Sequence, residues 1–224
     1  GTEVAAKPAG EFSSYPDDIV AVNGSVYFRG ATTDLGTELV IVPGKDGEAF
    51  TVHDILPGRG GSMPRNLCPD GTGRAFFTAQ DGSTGSRKLF VADKDGFTPS
   101  PPINGQGDSS EPVHDMAAAN GKIFVNIIDP NENAAKVSVW DGFPDTVFVD
   151  VCDLPNPDEF PGTLQSDLYP FPGGIVIVSP EIVPPPSNNR IESDDEPTTE
   201  VWTSLWFSDG TTTGTRLLKR FARI

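Results

Sequence analysis

The sequence is poor in the residues that most often carry metal-binding or redox chemistry. Its 224 residues include two cysteines and two histidines. Cys68 and Cys152 cannot form the disulfide framework of small secreted domains, and we expect two buried thiols. His53 and His114 lie far apart in the chain, and no H-x-x-H or C-x-x-C spacing is present. The sequence therefore offers no zinc motif, and we expect structural histidines.

Basic residues and long apolar runs are also scarce. Lysine and arginine number 16 against 32 acidic residues, which gives a formal charge of −16. Such a surface repels phosphate backbones and anionic lipids, so nucleic acid is not an expected partner. No apolar run approaches the length of about 18 residues that a transmembrane helix needs. We therefore expect a chain that does not span a membrane.

Turn-forming residues are abundant, and one of them recurs at a fixed interval. Gly 24 and Pro 22 together favour short strands joined by tight turns. Pro16, Pro64, Pro112 and Pro161 follow Ser-x or Glu-x and are spaced by 48, 48 and 49 residues. A fixed interval of this size is typical of repeat architectures.

Strand-like segments keep the same period. After each proline comes a glycine followed by a short apolar strand, as in "NGSVYF", "TGRAFF", "NGKIFV" and "GGIVIV". A third strand often ends on Asp, as in "KVSVWDG" and "SLWFSDG", and a fourth follows a turn, as in "TVFVDV". Each repeat thus carries four strands, here called a to d, and no segment has a convincing helical period.

Four strands in a repeat of 40 to 50 residues indicate a propeller blade. We predict an all-β fold, a β-propeller of about four four-stranded blades, forming a single domain over 1–224. The predicted repeats are listed by their approximate bounds: 13–60, 61–108, 109–157 and 158–224. Residues 1–12 match strand d and the linker of a preceding unit, so strand 1–6 is either an edge adjunct or part of a longer array.

One repeat also resembles a known family. "SLWFSDGTTTGTRLLK" (204–219) is similar to the ELWxSDGTxxGT-type repeat of secreted, hyalin-like proteins. "HDILPGRGGSMPRNL" (53–67) and "GRAFFTAQDG" (73–82) resemble the linker and the FFTA strand of that repeat. The other units depart from the SDGT turn. The resemblance implies propeller blades and no particular enzymatic activity.

The fourth unit contains an insertion between strands b and c. Residues 179–200 are rich in proline and contain the run "ESDDE". This composition is typical of a solvated surface loop. Alternatively the loop contacts a partner, with a polyproline II segment and an acidic pair as the candidate contacts. These candidates are Pro184, Pro185, Pro186, Asp194 and Asp195.

Catalytic motifs are absent, and oxygen-rich turns are the remaining candidates. No G-x-S-x-G or phosphate-binding P-loop is present. Asp93, Asp95, Asp141 and Asp209 lie in loops whose carboxylate and hydroxyl oxygens suit calcium, without EF-hand spacing. The competing interpretation is a c–d hairpin turn in which Asp accepts backbone N–H groups. In that case each Asp is hydrogen-bonded within its own hairpin, and no cofactor is needed.

These observations favour a non-enzymatic binding or assembly module. It would hold a protein or glycan partner through the propeller faces and the 179–200 loop, in a secreted, extracellular or organelle-lumen setting. A structural accessory subunit of a larger complex is one alternative. A carbohydrate-active enzyme with paired carboxylates is the other.

Overall fold

The computed structural model describes residues 12–45, 48–83, 85–102, 113–129, 134–154, 166–183 and 200–222. Within these ranges the protein has sixteen β-strands and no helix. The strands form four antiparallel four-stranded sheets, each in simple chain order. Apart from Phe12, the strands of each sheet lie within one predicted repeat. The prediction of an all-β fold with four four-stranded blades is confirmed.

The contacts divide the chain into two compact units. Unit 1 contains 1–111 and 141–148, and unit 2 contains 112–140 and 149–224. The prediction of a single domain stays a prediction. Within the described ranges, no helix has the length and hydropathy of a membrane span.

Unit 1 holds the first two sheets. Sheet 1 consists of β1 (Phe12–Val22), β2 (Ser25–Thr32), β3 (Gly36–Val42) and β4 (Thr51–His53). Sheet 2 consists of β5 (Arg65–Pro69), β6 (Ala75–Gln80), β7 (Arg87–Ala92) and β8 (Phe97–Pro99). Their apolar side chains form one core, in which Tyr27 and Leu39 from sheet 1 lie with Phe77 and Phe90 from sheet 2. The Phe77 and Phe90 rings stack with centroids 5.6 Å apart.

Unit 2 holds the other two sheets. Sheet 3 consists of β9 (Val113–Ala119), β10 (Lys122–Asp129), β11 (Ala134–Trp140) and β12 (Val149–Leu154). Sheet 4 consists of β13 (Asp167–Phe171), β14 (Gly174–Val183), β15 (Glu200–Ser208) and β16 (Arg216–Ala222). Phe124 and Val137 of sheet 3 share a core with Leu168, Ile175 and Ile177 of sheet 4. A four-stranded sheet cannot cover its own faces, so pairing of sheets is what makes each unit stable.

The first strands of sheets 1 and 2 share a bulge that follows the repeated proline. In β1, Asp17 pairs with Arg29 and Val20 pairs with Tyr27, so three residue steps along β1 lie opposite two residue steps along β2. In β5 the same shift separates Arg65 from Cys68. Asp18 and Asn66, at the two bulges, have φ of 52° and 58°. Short polar side chains tolerate this left-handed conformation best.

Cys68 and Cys152 lie in different units, and neither forms a disulfide. Cys152 is buried and Cys68 is half-buried. Burial, with a smaller effect of the Asp153 charge, raises the pKa of the Cys152 thiol to about 11. A thiol with so high a pKa is a poor nucleophile at neutral pH.

Candidate functional site

A polar cleft in unit 1 is the site that the structure supports best. Three hairpin ends border it: the β1–β2 turn, the β5–β6 turn and the β7–β8 turn. Its volume is about 230 Å³. The side chains that the following account uses are Asn23, Tyr27, Thr72, Arg74, Asp93 and Asp95. We call this site the Asp93 cleft.

The β7–β8 turn presents two carboxylates to the cleft. Asp93 Oδ1 accepts backbone hydrogen bonds from Asp95 N at 2.8 Å and Gly96 N at 3.0 Å. The Lys94 ammonium donates to Asp95 Oδ1 at 2.6 Å. All three turn side chains are exposed, so they are accessible to a ligand. Among the described residues, the Asp93 side chain uses only Oδ1 in hydrogen bonds.

Tyr27 forms a buried wall of the same cleft. Its side chain is fully covered by protein. Burial, together with the charges of Asp93 and Asp95, raises the pKa of the Tyr27 phenol to about 12. The phenol therefore stays protonated at neutral pH, as a hydrogen-bond donor within range of the Asp93 charge.

His53 lies close enough to Asp93 to feel its charge. Burial lowers the pKa of His53, and the Asp93 carboxylate partly opposes that shift. The imidazole meets the Phe97 ring edge-on, with centroids 5.8 Å apart. Its Nε2 atom is buried without a hydrogen-bond partner, which is uncommon for a buried polar atom. His53 is thus a neutral imidazole at neutral pH with an unused ring nitrogen.

An ion pair between the buried Asp70 and the half-buried Arg74 holds the β5–β6 edge of the cleft. Asp70 accepts hydrogen bonds from Thr72 N at 2.8 Å, Thr72 Oγ1 at 2.7 Å and Arg74 Nε at 2.8 Å. Burial acts to raise the Asp70 pKa, but these hydrogen bonds outweigh it and the pKa is lowered. The Arg74 guanidinium also lies over the rings of Phe76 at 5.5 Å and Phe143 at 5.4 Å. Thr72 and Arg74 are therefore fixed in place before any ligand binds.

Glu38 is a second buried carboxylate, but it lies in the core. Its oxygens accept hydrogen bonds from Ile55 N at 3.2 Å, Leu56 N at 3.4 Å and Ser62 N at 2.8 Å, and from the Ser62 hydroxyl. Burial raises the pKa of Glu38, and the bonds from Ser62, Ile55 and Leu56 oppose the rise. Because four donors occupy it, Glu38 fastens the linker after β4 to strand β3.

The four acidic turn residues predicted from the sequence fall into three separate turns. Asp93 and Asp95 share the cleft, whereas Asp141 and Asp209 lie in the corresponding turns of sheets 3 and 4. Asp141 accepts hydrogen bonds from Phe143 N at 3.1 Å and from the Thr146 hydroxyl. Asp209 accepts from Thr211 N at 2.9 Å and Thr211 Oγ1 at 2.7 Å. Asp93, Asp141 and Asp209 are thus each bonded within their own hairpin, as the turn interpretation requires.

No group of three or more metal-ligating side chains occurs in the described part of the chain. Calcium binding stays a prediction. The predicted partner contacts Pro184, Pro185, Pro186, Asp194 and Asp195 lie outside the described residues, as does strand 1–6.

Sequence reasoning missed Asn23, Tyr27, Thr72 and Arg74 as cleft residues. They lie in two different repeats, and their spacing matches no known motif. Their equivalent positions within two repeats were the sequence feature that could have identified two of them. Asn23 and Thr72 occupy equivalent a–b turns, one residue before the glycine that precedes strand b.

No protein-family model matches the chain, and no curated protein matches it. Among the solved structures that are similar to it, two are described here. One is a family 117 glycoside hydrolase from the marine bacterium Zobellia galactanivorans, at 15% identity and a TM-score of 0.39, covering 93% of this chain and 69% of that chain. The other is a glycosyl hydrolase from Bacteroides ovatus, at 12% identity and a TM-score of 0.34, covering 92% and 69%.

These comparisons correct the function predicted from the sequence. The prediction of a non-enzymatic binding or assembly module is wrong, because both similar structures are glycoside hydrolases. Similarity at this level identifies neither a substrate nor the reacting residues of this chain. The sequence lacked a signal for an enzyme, since paired carboxylates have no fixed spacing along a chain.

Proposed function

We propose that the protein is a carbohydrate-active enzyme that binds a glycan in the Asp93 cleft and hydrolyses a glycosidic bond there. One observation carries the proposal: two carboxylates, Asp93 and Asp95, border the same polar cleft as a phenol, a threonine hydroxyl and an amide. Sugars offer many hydroxyl groups, and side chains of this kind pair with them in directed hydrogen bonds.

The spacing of the two carboxylates suits the reaction. Glycoside hydrolysis uses two carboxyl groups about 5 to 9.5 Å apart, the shorter distance with a covalent intermediate and the longer with a direct attack by water. Residues two positions apart have Cα atoms within about 7 Å of each other. The Asp93 carboxylate is held by the turn, and rotation of the exposed Asp95 side chain can bring the two carboxylates to a separation within this range.

The other residues of the cleft supply a hydrogen-bond donor and a rigid binding surface for the sugar. Tyr27 stays protonated and can donate to a sugar oxygen or to the Asp93 carboxylate. Asp70 holds Arg74 and Thr72 in place, so the cleft loses little entropy when a ligand binds. A bound sugar removes water from the cleft, and removal of water favours the protonated form that a general acid needs.

The test is hydrolysis of a panel of polysaccharides and oligosaccharides by the full chain, measured as reducing ends released. Asp93→Asn and Asp95→Asn remove one carboxylate each while keeping the side-chain shape. The amide oxygen introduced by Asp93→Asn would still accept the turn hydrogen bonds from residues 95 and 96. Loss of a general acid or base costs about 10²- to 10⁴-fold in rate, and we expect kcat to fall by this factor in each variant.

Asp209→Asn is the matched control. Asp209 occupies the corresponding turn of sheet 4 and accepts the same kind of backbone hydrogen bond, but it is not a cleft residue. We expect wild-type kcat in this variant. Wild-type rates in both Asp93→Asn and Asp95→Asn would overturn the assignment of the carboxylates. Failure of the wild-type chain to cleave any member of the panel would contradict the enzymatic function.

A further inference from the structure

The last strand of sheet 4 is unlike the rest of this acidic protein. Strand β16 carries Arg216, Lys219 and Arg220 and no acidic residue, although the whole chain has a charge of −16. Every residue of the strand is exposed. Within the part of the chain that the structure describes, neither Arg216 nor Lys219 forms an ion pair with a carboxylate.

The same face of sheet 4 presents aromatic rings. Tyr169 lies opposite Val176, Val176 opposite Phe207, and Phe207 opposite Arg216, so one row crosses all four strands. Directly opposed residues project from the same side of a sheet. Phe171 and Phe221 follow Tyr169 and Lys219 by two positions and therefore share that side. The opposite side, with Ile175 and Ile177, faces the core of unit 2.

We call this surface the aromatic–basic face and define it by Tyr169, Phe171, Phe207, Arg216, Lys219 and Phe221. Tyr169, Phe171 and Phe221 are exposed by 52%, 55% and 44%. Arg216 lies over the Phe207 ring at 5.2 Å and Lys219 over the Phe221 ring at 5.1 Å. Exposed apolar surface of this kind on a protein marks an interaction site.

We propose that the aromatic–basic face is a binding surface for an anionic glycan, with carboxylate or sulfate groups, separate from the Asp93 cleft. The flat rings offer stacking surfaces for the apolar faces of sugar rings, as they do for other planar or ring-shaped ligands. Arg216 and Lys219 supply charges for the anionic groups. The two sites share no residue, so either proposal can fail without the other.

The negative charge of the whole protein does not prevent this binding. Electrostatic interactions at the protein surface are screened beyond about 8 to 10 Å at physiological salt. An anionic group in contact with the face therefore interacts mainly with Arg216 and Lys219. Asp167 lies on the same side of the sheet and accepts a hydrogen bond from the Tyr169 hydroxyl at 3.5 Å, but it is on β13, three strands or about 14 Å from β16. The two cations therefore dominate at the β16 end of the face.

The experiment is a calorimetric titration of the full chain with polygalacturonate, dextran sulfate and neutral dextran. We expect binding of the two anionic polymers and none of neutral dextran. The affinity should fall at least about tenfold between 0.1 M and 1 M NaCl, because the screening length shortens from about 10 Å to about 3 Å.

Two double variants distinguish binding at the aromatic–basic face from a general effect of positive charge anywhere on the protein. Arg216→Gln/Lys219→Gln should lower the affinity for polygalacturonate at least tenfold. Lys45→Gln/Arg59→Gln removes the same charge from exposed positions in unit 1 and should bind as the wild type does. Tyr169→Ala/Phe171→Ala keeps the charges, and it should also lower the affinity because the stacking surface is lost.

Three outcomes would overturn the proposal. Equal loss in both charge variants would mean that the binding is not local to the face. Equal affinity for polyglutamate would mean that the face selects negative charge and not a glycan. If neither polygalacturonate nor dextran sulfate binds, the proposal fails; resistance of Lys219 to acetylation in the free protein would then show that another sheet or a second copy of the chain covers the face.

Discussion

Two buried carboxyl groups in unit 1 have pKa values that are shifted in opposite directions, although burial acts to raise both. Asp70 accepts hydrogen bonds from an arginine and a threonine, and its pKa is lowered. Glu38 has no cationic partner among its hydrogen bonds, and its pKa is raised. At Asp70 the hydrogen bonds from Thr72, and after them those from Arg74, outweigh the effect of burial, whereas at Glu38 burial outweighs the hydrogen bonds. The opposite shifts predict opposite effects of pH at the two residues.

The substitution Asp70→Asn tests whether the Asp70 carboxylate stabilises the β5–β6 edge of the cleft. A carboxyl group with a lowered pKa stabilises the fold above its unfolded pKa of about 3.9, and that contribution is lost as the pH falls through the folded pKa. We expect the variant to lose about 2 to 4 kcal/mol at pH 7, because the half-buried Arg74 guanidinium loses its charged partner. The difference from wild type should shrink below about pH 4. Urea unfolding at pH 7 and pH 3 measures it, and a constant difference would contradict the account.

Turns and edges are the elements that sequence predicts best here. Glycines at the a–b turns and Asp at the c–d turns mark the hairpins because their backbone requirements are local. Strand β8 is a three-residue edge strand that ends at Pro99, and a proline cannot donate a hydrogen bond to a neighbouring strand. The Asp93 cleft was not predictable in this way. Three hairpin ends from two repeats form it, and only tertiary packing shows which ends meet.

Glu38 illustrates the same limit within one strand. An acidic residue inside the apolar segment "TELVIV" was a visible signal, but its donors come from residues 55 to 62. No local pattern links the strand with that linker. The bulges at Asp18 and Asn66 were equally hidden, although both follow the repeated proline at the same distance.

The substitution Gly142→Ala tests how tightly the β11–β12 turn, which belongs to unit 1, packs against its neighbours. The φ of Gly142 is 79°, and an added Cβ would lie 2.8 Å from Arg74 Nη1 and 3.0 Å from the Phe76 ring. Gly142→Ala should therefore cost backbone strain of about 1 to 2 kcal/mol and also about 1 to 3 kcal/mol from overpacking.

Gly24→Ala is the matched control for that substitution. Gly24 has a φ of 81° and no heavy atom within 4 Å of the added Cβ, so it should cost the strain alone. Thermal unfolding of both variants measures the difference between their losses of stability. Equal losses of stability would show that the contact with Arg74 and Phe76 adds no cost.

At the scale of the whole molecule, the repeat period predicted the number of sheets and their strands. It predicted them because each blade repeats one local pattern of turns and apolar strands. Function does not follow from the period, since a site depends on a few side chains that differ between repeats. The hyalin-like resemblance, the secreted or lumenal location, the protein partner and calcium binding stay predictions.

Hydrogen exchange of the full chain, with and without an oligosaccharide cleaved in the panel, tests the central claim most directly. Three stretches border the Asp93 cleft: 22–27, 72–74 and 93–95. A bound sugar accepts hydrogen bonds from their backbone amides or excludes water from them, so we expect slower exchange in all three. The Asp93→Asn variant should show weaker protection of the same peptides. Unchanged exchange in these stretches, with protection elsewhere, would contradict the assignment of the cleft as the glycan site.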